Sequence, residues 1–419
     1  MKSSVAKGSV TAPPSKSFTH RAMVLGALTH SHFHLKNPLI SEDTKATLDA
    51  LYALGSEVRS NSGGVRIHCE ELRPSPGVID ARNSGTTIRL ITGLASLLQA
   101  STTLTGDDSL VRRPMAPLVD ALSQLGAKCS YLGTSGRPPL SVRGPITGTK
   151  ASVEAGISSQ FVSSLLIACS KKTGSTEIVM KGELVSKPYV DITLQIMQDF
   201  GGVVEERSNG YLVPGEQVFT RDSYTVPGDY SSAAFPLAAA AVTGGQATVK
   251  NLEKGSPQGD RAIVDFLKTF GADVSTTSDS VTVRGCPLRG ARIDVKDTPD
   301  LFPVLAVVGC AAEGRTVLSG GENLKEKESD RIATTTTFLQ AMGARILPKN
   351  DGCEIAGGER LKGAIVQTRG DHRIMMAAAI AGLTASTDTR IEDDRSYMVS
   401  YPGFLRDMHQ LGCRLEVRQ

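Results

Sequence analysis

The feature that most constrains this chain is a pattern met six times: an amphipathic helix that stops at a glycine and is followed by a strand. It reads LDALYALGSEV, LVDALSQLGAKCS, LQIMQDFGGVV, IVDFLKTFGADV, FLQAMGARI and FLRDMHQLGCRL. The marker glycines are Gly55, Gly126, Gly201, Gly271, Gly343 and Gly412, spaced 69 to 75 residues apart. A period of this length means one supersecondary module copied along the chain. In each copy, apolar residues three and four apart precede the glycine. That spacing predicts a helix with one buried stripe, ending where the backbone turns through positive φ.

After most of these glycines a hairpin is legible, as in SEVRSNSGGVRIHC and ADVSTTSDSVTVRG. A second helix, in SSQFVSSLLIACS, DYSSAAFPLAAAAVTGG and DHRIMMAAAIAGLTAS, is apolar nearly all round and should lie inside a domain. Each module is therefore a βαβαββ unit, and the chain is an α/β protein of two domains with three units each. Gly/Pro-bearing stretches at Gly8 to Pro14 and Arg221 to Gly228 suggest the linkers. The expected division is 1–14 with 226–419 as one domain, its first strand supplied by the N-terminal segment, and 15–225 as the other. A chain of 419 residues has ample core for both.

Aligned on the glycines, the first-helix starts are PPSKSFTHR, RNSGTTIR, GISSQF, GDYSSA, TPDLFP and GDHRIM, nearly all polar or charged. The second-helix starts LVRRPM, LVSKPYVD and LKEKESDR bring Arg112, Arg113, Ser186, Lys187, Tyr189, Lys325, Lys327 and Arg331 to matching places. Ordinary capping accounts for Ser15, Ser84, Ser158, Asp229, Asp300 and Asp371, whose oxygens can satisfy orphan N–H groups. It does not account for Lys16, Arg21, Arg89, Arg113, Arg331 or the His372–Arg373 pair, because cations oppose the positive end of a helix dipole. Helix starts enriched in cations suit phosphate or carboxylate binding. Asp300 and Glu328, in the same segments, are acid and base candidates; surface ion pairing is the alternative for each.

Bulk properties narrow the class. Lys and Arg number 46 against 43 Asp and Glu, a net charge of +3, so any anion site is local and nucleic acid is not a favoured partner. With no Trp and 5% aromatic residues, base stacking is disfavoured too. The seven cysteines show no CxxC pair and read as core residues of a reducing compartment. No apolar run approaches the roughly 20 residues of a membrane helix, and the start lacks a signal-peptide core, so a cytoplasmic protein is expected. GxGxxG, Walker A and HExxH strings are absent. His30, His32 and His34 share a face in THSHFHL but lack carboxylate or Cys partners at ligand spacing, so no metal is expected.

The segments PPSKSFTHRA, NSGTTIR, RRP, SSQF, SKPYVDIT, TPD, KEKESDR and DHRIMMA, in this order, resemble those of the 5-enolpyruvylshikimate-3-phosphate synthase family across nearly the whole chain. The resemblance implies an inside-out α/β barrel of the enolpyruvyl transferase type, two domains of three units with the active site in the interdomain cleft. It implies transfer of enolpyruvyl from phosphoenolpyruvate to the 5-hydroxyl of shikimate 3-phosphate, no metal, no cofactor, and a monomer acting on small molecules alone. By matching motif it places Lys16, Ser17, Arg21, Ser158, Ser159, Gln160, Ser186, Tyr189, Asp300, Asn323 and Lys327 at shikimate 3-phosphate. Lys16, Gly85, Thr86, Arg113, Gln160, Arg331 and Arg373 fall at phosphoenolpyruvate. Asp300 is expected as base, Glu328 as acid, and Lys16 as proton shuttle and phosphate ligand.

Three positions depart from the family pattern. Val399 stands where many relatives carry a lysine, Leu90 replaces a proline after Arg89, and Pro14 replaces a glycine before Ser15. The related UDP-N-acetylglucosamine enolpyruvyl transferase is the nearest alternative, but its Cys-bearing loop has no counterpart in GDDSLVRRP. An RNA 3′-phosphate cyclase and a noncatalytic anion-binding homologue are further alternatives. The six repeats and low basicity disfavour the former, and Lys16, Asp300 and Glu328 together disfavour the latter.

Overall fold

A computed structural model describes residues 2–29, 31–393 and 395–417. The chain divides into two compact units, one of Met1–Ser15 with Pro227–Gln419 and the other of Lys16–Val226.

The continuous unit holds three four-stranded sheets of one design. Strand Lys150–Glu154 runs parallel to Thr176–Lys181, as a βαβ connection requires. Thr176–Lys181 then pairs antiparallel with Gly210–Val213, which pairs with Glu205–Arg207 through a hairpin. Ile79–Asp80, Thr102–Thr105, Leu140–Arg143 and Lys128–Tyr131 repeat that order. The third sheet closes the unit on itself. Its parallel edge strand, Ser223–Thr225, comes from the far end of the segment and joins Phe33–Lys36, Gly64–His68 and Glu57–Asn61.

The discontinuous unit closes in the same way. Lys7–Thr11 lies parallel to Gln246–Lys250, followed by Ser280–Arg284 and Asp273–Thr276. A second sheet contains Arg292–Asp294, Gly314–Ser319, Gly352–Gly357 and Arg345–Lys349. The last module is reduced to the parallel pair Ile365–Val366 and Arg390–Ile391. Past Gly412, Arg414 bridges to Lys2 where the other modules have their hairpin.

The helix ends explain the periodic glycine. All six marker glycines have positive φ, from 80° to 99°, which costs an L side chain strain that glycine escapes. Each follows a large apolar C-cap residue: Leu54, Leu125, Phe200, Phe270, Met342 and Leu411 are all fully buried. The turn thus plugs the end of the module's outer helix into its core while reversing the chain into the hairpin.

The inner helices are buried on every side, as their composition predicts. All residues of Gly85–Ala95 and His372–Gly382 are buried, and Ser159–Cys169, Tyr230–Thr243 and Phe302–Ala311 nearly so. Gly85–Ala95 packs on Ser159–Cys169 and Lys16–Gly26, while Phe302–Ala311 packs on Tyr230–Thr243 and His372–Gly382. Close approach depends on small residues: a Cβ on Gly93 would lie 2.9 Å from the Ser164 carbonyl. Ser164 Oγ instead donates to the Arg89 carbonyl at 2.6 Å, locking the two helices in register. Interiors with no spare volume transmit such a constraint to the helix starts, where the polar residues lie. No described helix is long and apolar enough to span a membrane.

Candidate active site

Capping is real at several helix starts. Ser84, Ser158, Asp229 and Asp371 accept from Thr87, Gln160, Ser232 and Arg373 backbone N–H groups. Asp300 is different. It sits in the short 3-10 turn Pro299–Leu301, and its carboxylate spans two guanidinium groups: Arg331 Nη1 donates to Oδ1 at 2.6 Å and Arg373 Nη2 to Oδ2 at 3.1 Å.

Arg331 organises this cluster from 1% exposure. Besides Asp300, its Nη2 donates to Glu328 Oε2 at 2.7 Å and its Nε to Asp371 Oδ2 at 3.0 Å. Burial disfavours its charge, but the carboxylates of Asp371, Glu328 and Asp300 overcome that and hold it firmly protonated. Burial likewise pushes the Asp300 carboxyl upward, and Arg373, Arg331 and Lys327 reverse it, holding it well below the usual carboxylate range. Asn323, buried in the 3-10 turn Glu322–Glu326, and Lys327, next in chain, precede Glu328. The segment KEKESDR therefore delivers cation, carboxylate and guanidinium from one turn into the helix Arg331–Ala341.

The continuous unit carries the other expected residues. Lys16 opens helix Lys16–Gly26, and its Nζ donates to Asp43 Oδ2 at 2.9 Å. One turn on, Arg21 is 1% exposed and, among the described residues, is bound by neutral oxygens: Thr193 Oγ1 at 2.6 Å, Ser163 Oγ at 3.2 Å, and the carbonyls of Ser17 at 3.1 Å and Tyr189 at 2.9 Å. Burial without a carboxylate lowers its affinity for the proton to about 10. Ser186, before helix Lys187–Asp199, is buried and left-handed at φ 55°. A polar residue held in that conformation stores strain of order 1–3 kcal/mol, which is characteristic of ligand-binding turns.

Around Gly85 two helix starts, its own and that of Ser159–Cys169, meet Arg113 from the end of the 3-10 turn Leu110–Arg112. A Cβ on Gly85 would lie 3.0 Å from Nη1 of both Arg113 and Arg89, so two guanidinium tips face the bare backbone. Gln160 ties neighbouring starts together, accepting from Arg89 Nη1 at 2.5 Å and donating to Thr86 Oγ1 at 2.9 Å. Arg89 also stands 5.2 Å over the Phe161 ring, and Arg113 Nη2 donates to Asn83 Oδ1 at 2.9 Å. Ser158 and Ser159 frame the same helix start. Two cations beside a backbone that lacks a side chain make a cradle for a compact anion.

Within its unit, each cluster brings together residues far apart in sequence. A planar or tetrahedral anion could be held by Arg331 and Arg373 in one, and by Arg89 and Arg113 in the other; Asp300 and Glu328 are the carboxylates beside the first pair.

A family model of EPSP synthase (3-phosphoshikimate 1-carboxyvinyltransferase) matches residues 1–408. The chain belongs to that family. Among its relatives, the 3-phosphoshikimate 1-carboxyvinyltransferase of Methanocorpusculum labreanum is 45% identical, over 97% of this chain and 96% of that one. The enzyme of the same name from Methanothrix thermoacetophila is 46% identical, with the same coverage. A solved EPSP synthase from Acinetobacter baumannii superposes with a TM-score of 0.84 at 29% identity, covering 100% of this chain and 98% of that one. The α/β fold expected from the repeat is the fold of this family.

Asp43, Arg89 and Asp371 add to the site residues expected from sequence. Arg89 was legible as a misplaced cation at a helix start. Asp43 lies in SEDTKAT, a helix N-terminus where an acid is unremarkable, and its contact crosses 27 residues. Of the histidine trio, His30 lies outside the described residues. His32 stacks on His68, with ring centroids 4.1 Å apart, and His34 Nε2 meets the Gly63 carbonyl at 3.0 Å. Val399 ends the 3-10 turn Ser396–Val399, which packs on the helix His372–Gly382.

Proposed function

We infer that this chain transfers the enolpyruvyl group of phosphoenolpyruvate to the 5-hydroxyl of shikimate 3-phosphate and releases inorganic phosphate. The observation that carries this reading is the Asp300 carboxylate clamped between Arg331 and Arg373, in a chain that matches the family over nearly its whole length.

Two arginines that already grip a carboxylate are built to grip the carboxylate or phosphate of phosphoenolpyruvate. When substrate takes them, Asp300 loses the charges that keep it a weak base and becomes able to accept the 5-hydroxyl proton. The alkoxide oxygen then bonds to C2 of phosphoenolpyruvate while Glu328, which takes up a proton from solvent once Arg331 turns to the substrate, gives that proton to C3, leaving a tetrahedral ketal phosphate. Loss of a C3 proton to a protein base and departure of phosphate restore the double bond. Lys16, Arg89 and Arg113 suit the phosphate charge, with Lys16 also suited to shuttle the proton.

For shikimate 3-phosphate, Ser17, Arg21, Ser158, Ser159, Gln160, Ser186, Tyr189, Asn323 and Lys327 supply donors and acceptors for phosphate and hydroxyl groups. Gly85 and Thr86 leave room for the phosphoenolpyruvate end. The transfer needs no cofactor, and the chain is taken to act as a monomer, which sedimentation tests.

Incubation with phosphoenolpyruvate and shikimate 3-phosphate, followed by phosphate release and product mass, tests the activity. Release with UDP-N-acetylglucosamine but not with shikimate 3-phosphate would establish the sister transferase instead. The stretch Gly106 to Pro114, which lacks a cysteine, favours the first outcome.

A further inference from the structure

The continuous unit carries buried polar side chains that the mechanism above leaves unused. His20, Thr47, Ser84 and Thr87, from three neighbouring helices, are each 0% exposed. They form one hydrogen-bonded chain. His20 Nδ1, in helix Lys16–Gly26, meets Thr47 Oγ1 at 2.7 Å, and Thr47, in helix Glu42–Ala53, meets Thr87 Oγ1 at 2.7 Å. Thr87, in helix Gly85–Ala95, shares its proton between Ser84 Oγ at 2.7 Å and the Asp43 carbonyl at 3.3 Å. Ser84 caps that helix, its Oγ accepting from the Thr87 N–H at 3.2 Å. The chain therefore runs from the helix that opens with Lys16, past Asp43 whose carboxylate holds Lys16, to the turn that presents Gly85 and Thr86.

We propose that Thr87 is a positioning residue for phosphoenolpyruvate: it fastens the Gly85 helix start, through Thr47 and His20, to the helix that carries Lys16, and so sets where the Gly85 cradle stands relative to that cation. The inference rests on the transfer activity proposed above.

Capping alone does not call for this chain. Ser84 satisfies the Thr87 N–H by itself, and Thr47 and His20 lie mid-helix. Apolar side chains in their places would stabilise the unit about as well, because a buried hydrogen bond only replaces bonds to water. A hydrogen bond does, however, have a preferred length and direction, so a chain of them selects one setting of the helices more sharply than apolar contact does. The chain also has one direction. Burial, with Lys16 and Arg21 nearby, keeps the imidazole neutral, and Nε2 has no hydrogen-bond partner among the described residues. A buried bare acceptor costs less than a buried orphan N–H, which puts the proton on Nδ1. His20 then donates to Thr47, Thr47 to Thr87, and Thr87 to Ser84, each threonine hydroxyl accepting from one neighbour and donating to the next. Other ties act elsewhere. Ser164 holds helix Gly85–Ala95 further along, at the Arg89 carbonyl, and Arg21 holds helix Lys16–Gly26 to Thr193, Ser163 and the Tyr189 carbonyl. Losing the Thr87 link thus frees the Gly85 turn while the residues suited to shikimate 3-phosphate stay in place.

The test is steady-state kinetics with both substrates on Thr87→Val, Thr87→Ser, Thr47→Val and the double variant Thr87→Val with Thr47→Val. Thr87→Val, close in shape but without the hydroxyl, should raise KM for phosphoenolpyruvate about tenfold, with kcat and KM for shikimate 3-phosphate within about threefold of wild type. Thr87→Ser, which keeps the hydroxyl, should return KM for phosphoenolpyruvate to within about twofold. Thr47→Val should raise it about threefold, and the double variant should be no worse than Thr87→Val, because both changes break one chain. A packing role alone would lower the thermal midpoint or kcat and leave the ratio of the two KM values unchanged, and that result overturns the proposal. A serine variant as impaired as the valine one overturns it too, as does a double variant in which the two effects multiply. If Thr87→Val does not fold, Thr47→Val decides: a selective rise in KM for phosphoenolpyruvate supports the chain, and its absence overturns it. Failure of the wild-type chain to release phosphate would defeat the functional reading, whereas release with an unchanged KM ratio in Thr87→Val would defeat only the role of Thr87.

Discussion

Asp300 Oδ1 lies 2.6 Å from Arg331 Nη1, and the arginine end of that pair is 1% exposed while the carboxylate is 20% exposed. The guanidinium is therefore fixed and the carboxylate is the partner open to exchange. A substrate anion need only displace one carboxylate from a preformed clamp, so the cation site itself requires little reorganisation.

Asp300→Ala and Glu328→Ala should each lower kcat by about a hundredfold or more while shikimate 3-phosphate binding largely survives, as loss of general acid–base groups dictates. Steady-state kinetics with calorimetric binding separates the two. Near-normal turnover in both variants would remove these residues from their roles.

Gly85→Ala should weaken phosphoenolpyruvate far more than shikimate 3-phosphate. The new methyl group meets Arg113 and Arg89 at their guanidinium ends, 3.0 Å away, so those cations must withdraw from the backbone they flank. An increase of roughly tenfold in KM for phosphoenolpyruvate is expected, about 1.4 kcal/mol. Equal weakening of both substrates would place the glycine elsewhere in the site.

His20 makes stability depend on acid. Its Nδ1 meets Thr47 Oγ1 at 2.7 Å, and burial, with Lys16 and Arg21 nearby, holds its pKa well below 6.5. The unfolded chain takes up a proton below about 6.5 that the folded chain refuses, so stability is complete above that value and falls as pH drops toward the depressed one. The slope approaches about 1.4 kcal/mol per pH unit for one proton. His20→Asn, which keeps a polar group near the Nδ1 position, should raise the thermal midpoint at about pH 5, relative to its own value at about pH 6.5, more than wild type does. The comparison with wild type is needed because Asp260, whose carboxyl burial and the Asp300 charge push up to about 7, adds stability as pH falls through the same window, while Asp300, depressed, loses its contribution only below the ordinary carboxylate range.

Phe200→Ala should destabilise the continuous unit by about 3–5 kcal/mol, the cost of a large cavity that the surroundings cannot fill. Phe200 is fully buried at a helix end, with Phe33 and Tyr224 rings at 5.2 and 5.9 Å. Denaturant unfolding measures the loss. A change below about 1 kcal/mol would mean the module end can collapse around the gap.

Much of the architecture could be read from the chain because its main signals are local. A glycine at positive φ after an apolar stripe, and an inner helix with no polar face, leave periodic traces that need no knowledge of neighbours. The site was legible as a surplus of cations at helix starts, and the resemblance sorted them. The nearby anions were hidden. Asp371 reads as a cap and is one, yet its second oxygen also accepts from Arg331. Asp43 lies in an ordinary-looking helix start, and only the fold carries it to Lys16. Asp300 shows the converse: its position suggests a cap, but two guanidinium groups claim both oxygens.

The strand Lys7–Thr11 pairs with Gln246–Lys250, and Ser15 N–H meets the Pro227 carbonyl at 2.8 Å. During synthesis that first strand emerges long before its partner exists. At roughly 5–20 residues per second it waits on the order of 10–50 s, while the whole of Lys16–Val226 can already be emerging as a closed body. The ribosome thus delivers the whole insert between the first strand of its host and the rest, and the strand edge exposed in that interval is where a chaperone would have most to do.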